Sequence, residues 1–209
     1  MTTIYLMRHA ESVANVGNIL AGRNDFALSE AGKADAQALA QAFGERFSID
    51  AIWCSPLLRA QQTAAPFLTR CNAPFRFDDR LMEQHLGRFS GMTYQQAEAD
   101  AGYCRDRTAR WQWVPDGGGE SYEMIAARVQ SFLDDFVEQS RRLKLGHVLI
   151  VTHAVTLRLF RACLEKTLPK YPEKIAANGE IWQADLGEPS AAKSIDQIML
   201  PLPLREHRA

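Results

Sequence analysis

The chain has 209 residues, 46% hydrophobic and 23% charged, with 24 Lys and Arg against 25 Asp and Glu for a formal net charge of −1. That length supports a sizeable core without disulfides or a structural metal, and the charge balance excludes a global field for nucleic acid or membrane, so any anion recognition must come from a local cluster. Cys54, Cys71, Cys104 and Cys163 make no C-x-x-C pair or zinc spacing and are expected as reduced thiols; with no basic stretch at Met1-Thr2-Thr3-Ile4 and no apolar run near the ~20 residues of a membrane span, a single cytoplasmic domain over 1–209 is expected.

Ile4-Tyr5-Leu6-Met7, bounded by Arg8-His9, reads as a buried strand. A polar loop is expected from Ser12 to about Leu28. Ser29 then precedes a helix with one apolar face of Ala36, Leu39, Ala40, Phe43 and Phe47. Residues 51–54 form the next strand. Ser55-Pro56 signals a helix start, with Ser as cap and Pro in the first position, for a helix over 56–68. A third extended segment falls at 74–77. Thr93 and Gln96 have capping-box spacing, for a short helix over 94–101. Residues 102–116 are irregular and Gly117-Gly118-Gly119 marks a tight turn. A long amphipathic helix follows, burying Ile125, Val129, Phe132, Leu133, Phe136 and Val137, and Gly146 is expected to stop it. Residues 148–152 are apolar on both faces, as in a central parallel strand. His153 opens a helix carrying Leu157, Phe160 and Leu164, and weaker strands fall near 181–185 and 195–200. This order argues an α/β fold: three layers, a mainly parallel central sheet flanked by helices on both faces, and a small cap-like insertion at 84–117.

In such sheets ligands bind beyond the carboxyl ends of the strands. Arg8 and His9 follow the first strand, Arg59 lies one turn into the helix after the second, and His153 directly follows the strand at 148–152. Glu83 sits in the loop after the third extended segment. Singly, each has an ordinary structural reading; together they form a set suited to phosphoryl transfer. Two arginines present forked donors to phosphate oxygens, a neutral His is a nucleophile, a charged His153 adds donor capacity, and a carboxylic acid at Glu83 protonates a poor leaving group. The N-terminus of the helix after Ser55 favours an anion nearby.

Leu6-Met7-Arg8-His9-Ala10-Glu11-Ser12 with Asn15 closely resembles the signature of the histidine phosphatase superfamily, the phosphoglycerate-mutase-like proteins. The resemblance extends through Gly22-Arg23-x-Asp25-x-x-Leu28-Ser29-x-x-Gly32, Ser55-Pro56-Leu57-x-Arg59-Ala60-x-Gln62-Thr63-Ala64, Leu81-x-Glu83-x-x-x-Gly87-x-Phe89-x-Gly91, Gly118-Gly119-Glu120-Ser121 and Val151-Thr152-His153. It implies that His9 is phosphorylated during turnover, that Arg8, Arg59 and His153 complete the phosphate pocket, and that Glu83 donates the proton. It further implies substrate-lining positions at Asn15, Arg23, Ser121 and Ala154, and a structural Glu120 holding an Arg of the pocket. Ala10 and Ala154 stand where the family often has Gly, and an added methyl crowds the backbone if a positive φ is needed there.

Mutases resembling this chain carry a long insertion where only residues 84–117 stand here, which favours water reaching the site and hence a phosphatase. Phosphoglycerate-mutase-type transfer stays open as the alternative, as does a phosphate-binding scaffold without catalysis, against which the full catalytic set argues. A metal enzyme is disfavoured because two arginines would repel a divalent ion, so no metal and no cofactor are expected. The expected partner is a small phosphorylated metabolite, with neither nucleic acid nor membrane, and a homodimer stays open. Arg105, Arg107, Arg110, Trp111 and Trp113 cluster in the insertion, either as a cap that reads the leaving group or as a solvated basic loop with packed Trp.

Overall fold

The computed structural model of the protein describes residues 1–106, 108–186 and 195–200. Its six strands are β1 (Thr2–Arg8), β2 (Ala51–Cys54), β3 (Phe75–Phe77), β4 (His147–Thr152), β5 (Ile181–Leu186) and β6 (Ile195–Ile198), in the spatial order β3-β2-β4-β1-β5-β6. β1, β2, β3 and β4 are mutually parallel, and β5 runs antiparallel to both β1 and β6. The mainly parallel sheet follows from the apolar strands: with helices on both faces, both sides of β1 and β4 need hydrophobic residues.

The period-two alternation of β1 sorts its side chains between two cores. Ile4 and Leu6 pack with Ile150, Val129, Phe132 and Phe160 under helices α5 (Tyr122–Leu143) and α6 (Ala154–Glu165). Tyr5 and Met7 pack with Leu39, Phe43, Phe67 and Val151 under α2 (Glu30–Gly44) and α3 (Leu58–Cys71). The expected face of α2 is buried from Ala36 to Phe43, with Phe47 partly buried beyond its end. Gly32 is required where α2 crosses the loop after β1, because a Cβ there would lie 1.9 Å from the Glu11 carbonyl oxygen. A smaller cluster of Leu20, Leu86, Phe89, Ala97 and Tyr103 gathers the insertion around α4 (Tyr94–Ala99), whose capping box between Thr93 and Gln96 forms as the spacing requires.

Four local expectations are corrected. The loop from Ser12 to Leu28 holds a one-turn helix, α1 (Val13–Val16), closed by a capping box between Ser12 and Asn15. Ser55 is not the cap residue of α3, which starts at Leu58: its hydroxyl oxygen accepts from Leu57 N at 3.3 Å and meets His153 Nε2 at 2.7 Å, and the Leu58 N–H donates to Asp25 Oδ1 at 2.7 Å. That carboxylate fills the helix N-terminus that was expected to favour a bound anion. Gly146 does not stop α5; Lys144 takes the left-handed cap at φ 53°, and the Gly146 N–H donates to Asp50 Oδ2 at 2.6 Å as β4 begins. The four cysteines are free thiols. Arg107 and the tail Arg205-Glu206-His207-Arg208 lie outside the described residues. No helix among the described residues is long and apolar enough to cross a membrane.

Candidate active site

The register Arg8↔Thr152 and Cys54↔Val151 aligns the ends of β1, β2 and β4. Arg8, His9, Ser55 and His153 therefore leave the sheet on one rim. Arg8, His9, Arg59 and Glu83 line a cavity of about 500 Å³ there, together with Asn15 and Ala154. The His9 and His153 rings stand 5.1 Å apart, centroid to centroid.

Each ring has a defined setting. His9 Nδ1 lies 2.7 Å from its neighbour's carbonyl, Ala10 O. A carbonyl can only accept, so Nδ1 carries the hydrogen and Nε2 keeps its lone pair. His153 Nε2 meets the Ser55 hydroxyl, while its Nδ1 is buried without a hydrogen-bond partner. Burial, then the Arg59 cation, holds both rings well below the ordinary imidazole pKa. This corrects the expectation of a charged His153: in the site as it stands that ring is neutral, because a second cation would be desolvated beside Arg59.

Unfolding returns both rings to an ordinary pKa of about 6.5, so below that pH the unfolded chain binds more protons than the folded one. The stability they contribute is full above about pH 6.5 and falls as pH drops toward their folded values. The urea midpoint is expected to decline from about pH 6.5 downward, and less steeply in His153→Asn; a midpoint flat down to about pH 5 would count against neutral rings.

The arginines are held by main-chain carbonyls. Arg8 Nη1 donates to Ala176 O at 2.6 Å, and its Nε is buried without a partner. Arg59 is 1% exposed and donates to Gly22 O at 2.8 Å and Asn24 O at 2.9 Å. Burial pulls both guanidinium pKa values down, against the nearby Glu83 carboxyl. Two desolvated cations, one with a spare buried donor, suit a doubly charged oxyanion.

Glu83 accepts from Gln84 N at 2.9 Å, Val155 N at 3.3 Å and Thr156 N at 3.4 Å, which seats it on the N-terminus of α6. Behind it lies a charged lattice. Glu120 pairs with Arg23 at 2.8 Å and Arg128 at 3.1 Å, and accepts from His85 N at 3.0 Å. Both arginines also donate to the Glu83 carbonyl, at 3.3 and 3.4 Å. Though burial opposes it, Arg128 and the His85 N–H keep the Glu120 carboxyl below its ordinary pKa. Glu120→Ala leaves two cations uncompensated and is expected to cost about 3 kcal/mol in urea unfolding; a cost below about 1 kcal/mol would mark a solvated pair.

The structure does not bring every expected residue to the cavity. Arg23 points into that lattice rather than into the cavity, and the Ser121 hydroxyl accepts from Met124 N at 3.2 Å as the cap of α5. Neither is among the cavity-lining residues, and nor is His153, which is fully buried against Ser55. Asn15 lines the cavity, but its Oδ1 accepts from Ser12 N and from Asn178, so a bond to substrate must come from Nδ2. Ala10 and Ala154 adopt no positive φ, so neither methyl strains the backbone. Of the insertion cluster, Arg105 and Arg110 reach the cavity, whereas Trp113 packs on Phe89 and Trp111 stacks on Tyr171.

Sequence reasoning missed the brace from the C-terminal third. Asn178 Nδ2 donates to His9 O at 3.1 Å, Gly179 N to Arg8 O and His9 O at 3.2 Å, and Arg8 N to Glu180 O at 3.1 Å. An Asn before a Gly signals only a turn. Arg158, 2% exposed on α6, and Tyr94 and Tyr122 also line the cavity; a cation on the buried face of an apolar helix was the available signal for Arg158. Among the described residues no group of His, Cys, Asp and Glu is placed to hold a metal ion.

The chain is 36% identical over 138 residues to glucosyl-3-phosphoglycerate phosphatase of Mycobacterium tuberculosis, which covers 64% of this chain and 60% of that relative, so the match spans less than two thirds of the relative's length. It is 35% identical over 176 residues to phosphoserine phosphatase 1 of Hydrogenobacter thermophilus, covering 82% and 80%. A solved structure of a mycobacterial glucosyl-3-phosphoglycerate phosphatase with VO3 superposes with a TM-score of 0.81 at 28% identity, covering 95% of this chain and 98% of that one. The family model of the histidine phosphatase superfamily (branch 1) matches residues 4–187, and with this fold and these relatives the chain belongs to that superfamily.

Proposed function

We propose that the protein hydrolyses phosphomonoesters of small metabolites through a covalent phosphohistidine at His9 Nε2, without a metal. The observation that carries the reading is the state of His9: buried, neutral, with Nδ1 committed to Ala10 O, in a cavity shared with Arg8 and Arg59. The lone pair of Nε2 attacks phosphorus and the P–O bond to the alcohol breaks. Glu83 delivers a proton to the departing oxygen. Arg8, Arg59 and His153 surround the equatorial oxygens, and both Arg8 Nε and His153 Nδ1 are buried without a hydrogen-bond partner. Water, activated by the Glu83 carboxylate, then attacks phospho-His9, breaking the N–P bond and releasing phosphate. Two arginines beside the nucleophile leave a divalent ion no electrostatic advantage.

Residues 84–117 act in this reading as a short cap that leaves the cavity open to water, which favours hydrolysis over mutase transfer. The relatives' names point to phosphorylated hydroxy or amino acids as substrates, and free cysteines suit the cytoplasm.

The test is hydrolysis of a phosphomonoester panel in excess EDTA, with an alkaline quench to trap label on His9. Phosphate release with an acid-labile, alkali-stable phosphoenzyme is expected. Activity that disappears with EDTA and returns with zinc would overturn the metal-free mechanism, and isomerisation of 3-phosphoglycerate without phosphate release would replace hydrolysis by mutase transfer.

A further inference from the structure

We propose that Thr156 is a positioning residue for the proton donor, and that its hydroxyl sets where the Glu83 carboxyl stands beside the phosphate pocket; this rests on the hydrolytic reading above. Glu83 follows the 3₁₀ turn Asp79–Leu81, in a segment outside the strands and helices. Side chains from other elements hold that segment by its carbonyls. Arg80 O accepts from Arg128 Nη1 at 2.6 Å, Leu81 O from Thr152 Oγ1 at 2.7 Å, Met82 O from Thr156 Oγ1 at 2.6 Å, and Glu83 O from Arg23 Nε at 3.3 Å. Of these side chains, Thr156 also approaches the carboxyl.

The Met82 carbonyl belongs to the planar peptide unit that ends on the Glu83 Cα. Fixing that carbonyl therefore fixes the direction in which the Glu83 side chain leaves the main chain. At the far end of the side chain, Glu83 Oε1 lies 3.4 Å from Thr156 N and 3.5 Å from Thr156 Oγ1, and Oε2 lies 3.3 Å from Val155 N. These N–H groups in the first turn of α6 are the ones a capping side chain ordinarily fills. His153, the N-cap residue, makes no such bond, because its ring is turned to Ser55. The acid fills the place instead. The turn from His153 to Thr156 thus carries a ring of the phosphate pocket at one end and the support of the acid at the other, and helix geometry fixes the distance between them. Thr156 is fully buried and is not among the cavity-lining residues, so it acts on the reaction only through Glu83. A threonine that merely completed the packing would, when changed, slow every ester alike.

The experiment compares two esters in three variants: p-nitrophenyl phosphate, and the alkyl phosphate that the wild-type chain hydrolyses fastest. Thr156→Val keeps the side-chain shape and Thr156→Ala opens it; both remove the hydroxyl, whereas Thr156→Ser retains it. In the folded hydroxyl-free variants kcat for the alkyl ester is expected to fall by roughly 10- to 100-fold, the scale of a misplaced catalytic group. For p-nitrophenyl phosphate, which needs no acid, the fall should stay under about 3-fold. KM and inhibition by inorganic phosphate should hold, since the arginines are untouched, and Thr156→Ser should recover most of the alkyl rate. Equal losses on both esters, or an alkyl rate within about 3-fold of wild type, would overturn the proposal. A wild-type chain that hydrolyses neither ester defeats the hydrolytic reading by itself. The positioning is then read without turnover, from the carbon-13 signal of the Glu83 carboxyl in the presence of inorganic phosphate, assigned by its loss in Glu83→Gln. That signal is expected to move in Thr156→Val and to stay in Thr156→Ser; the same signal in wild type and Thr156→Val would overturn the proposal.

Discussion

His9→Ala is expected to lower kcat for p-nitrophenyl phosphate by about 10⁴-fold or more, in the range found when a covalent nucleophile is removed. No neighbour can replace it. The other ring in the site, His153, has Nε2 bound to Ser55 and Nδ1 enclosed, and its centroid lies 5.1 Å away. The residual rate would come from arginines binding a phosphoryl group that only water can attack. Folding should survive, since a neutral ring with a single hydrogen bond to Ala10 O contributes little polar stabilisation. Initial rates, far-ultraviolet circular dichroism and the alkaline quench together make the check. A fall of less than about 100-fold in a folded variant, or label retained on the protein, would remove His9 from the covalent role.

Glu83→Gln is expected to divide substrates by leaving group. Alkyl phosphates, whose alkoxides depart poorly, should slow by about 10²- to 10⁴-fold, the usual worth of a general acid. p-Nitrophenyl phosphate, with a good leaving group, should slow by less than about 10-fold. The amide loses a dissociable proton but keeps the side-chain shape. One of its ends must face Gln84 N, Val155 N or Thr156 N with an oxygen, so some loop adjustment enters both rates alike and cancels in their ratio. Equal loss on both substrates would make Glu83 a positioning residue rather than the acid.

The sheet was legible because its strands are apolar runs bounded by charge, and the rim was legible because Arg8, His9 and His153 sit where those runs stop. What escaped was set by contacts distant in sequence. Ser55-Pro56 has the composition of a helix start, yet tertiary pairing gave the Ser hydroxyl to His153, and a carboxylate 33 residues earlier took over the first helical N–H. Lys144 pre-empted Gly146 because the cap is decided where α5 loses its packing, not at the nearest glycine. In the insertion, composition marked the Arg and Trp residues as one group. Only packing separates Arg105 and Arg110, which reach the cavity, from Trp111 and Trp113, which join aromatic clusters. Arg23 and Ser121 were visible as motif residues, but charge pairing with Glu120 and capping of α5 engage their polar atoms elsewhere.

The brace from Ala176 to Glu180 has a consequence for how the molecule comes into being. Synthesis runs from the amino end, so His9 leaves the ribosome well before the Asn178 amide that fixes its carbonyl, which is 169 positions behind. Arg8 likewise waits for Ala176, 168 positions later. The Arg8-His9 pair is thus the earliest part of the site to be made and the last to be set. A chain made only as far as residue 175 holds Arg8, His9, Arg59, Glu83 and His153 with the loop after β1 not yet tied to Ala176, Asn178 and Gly179.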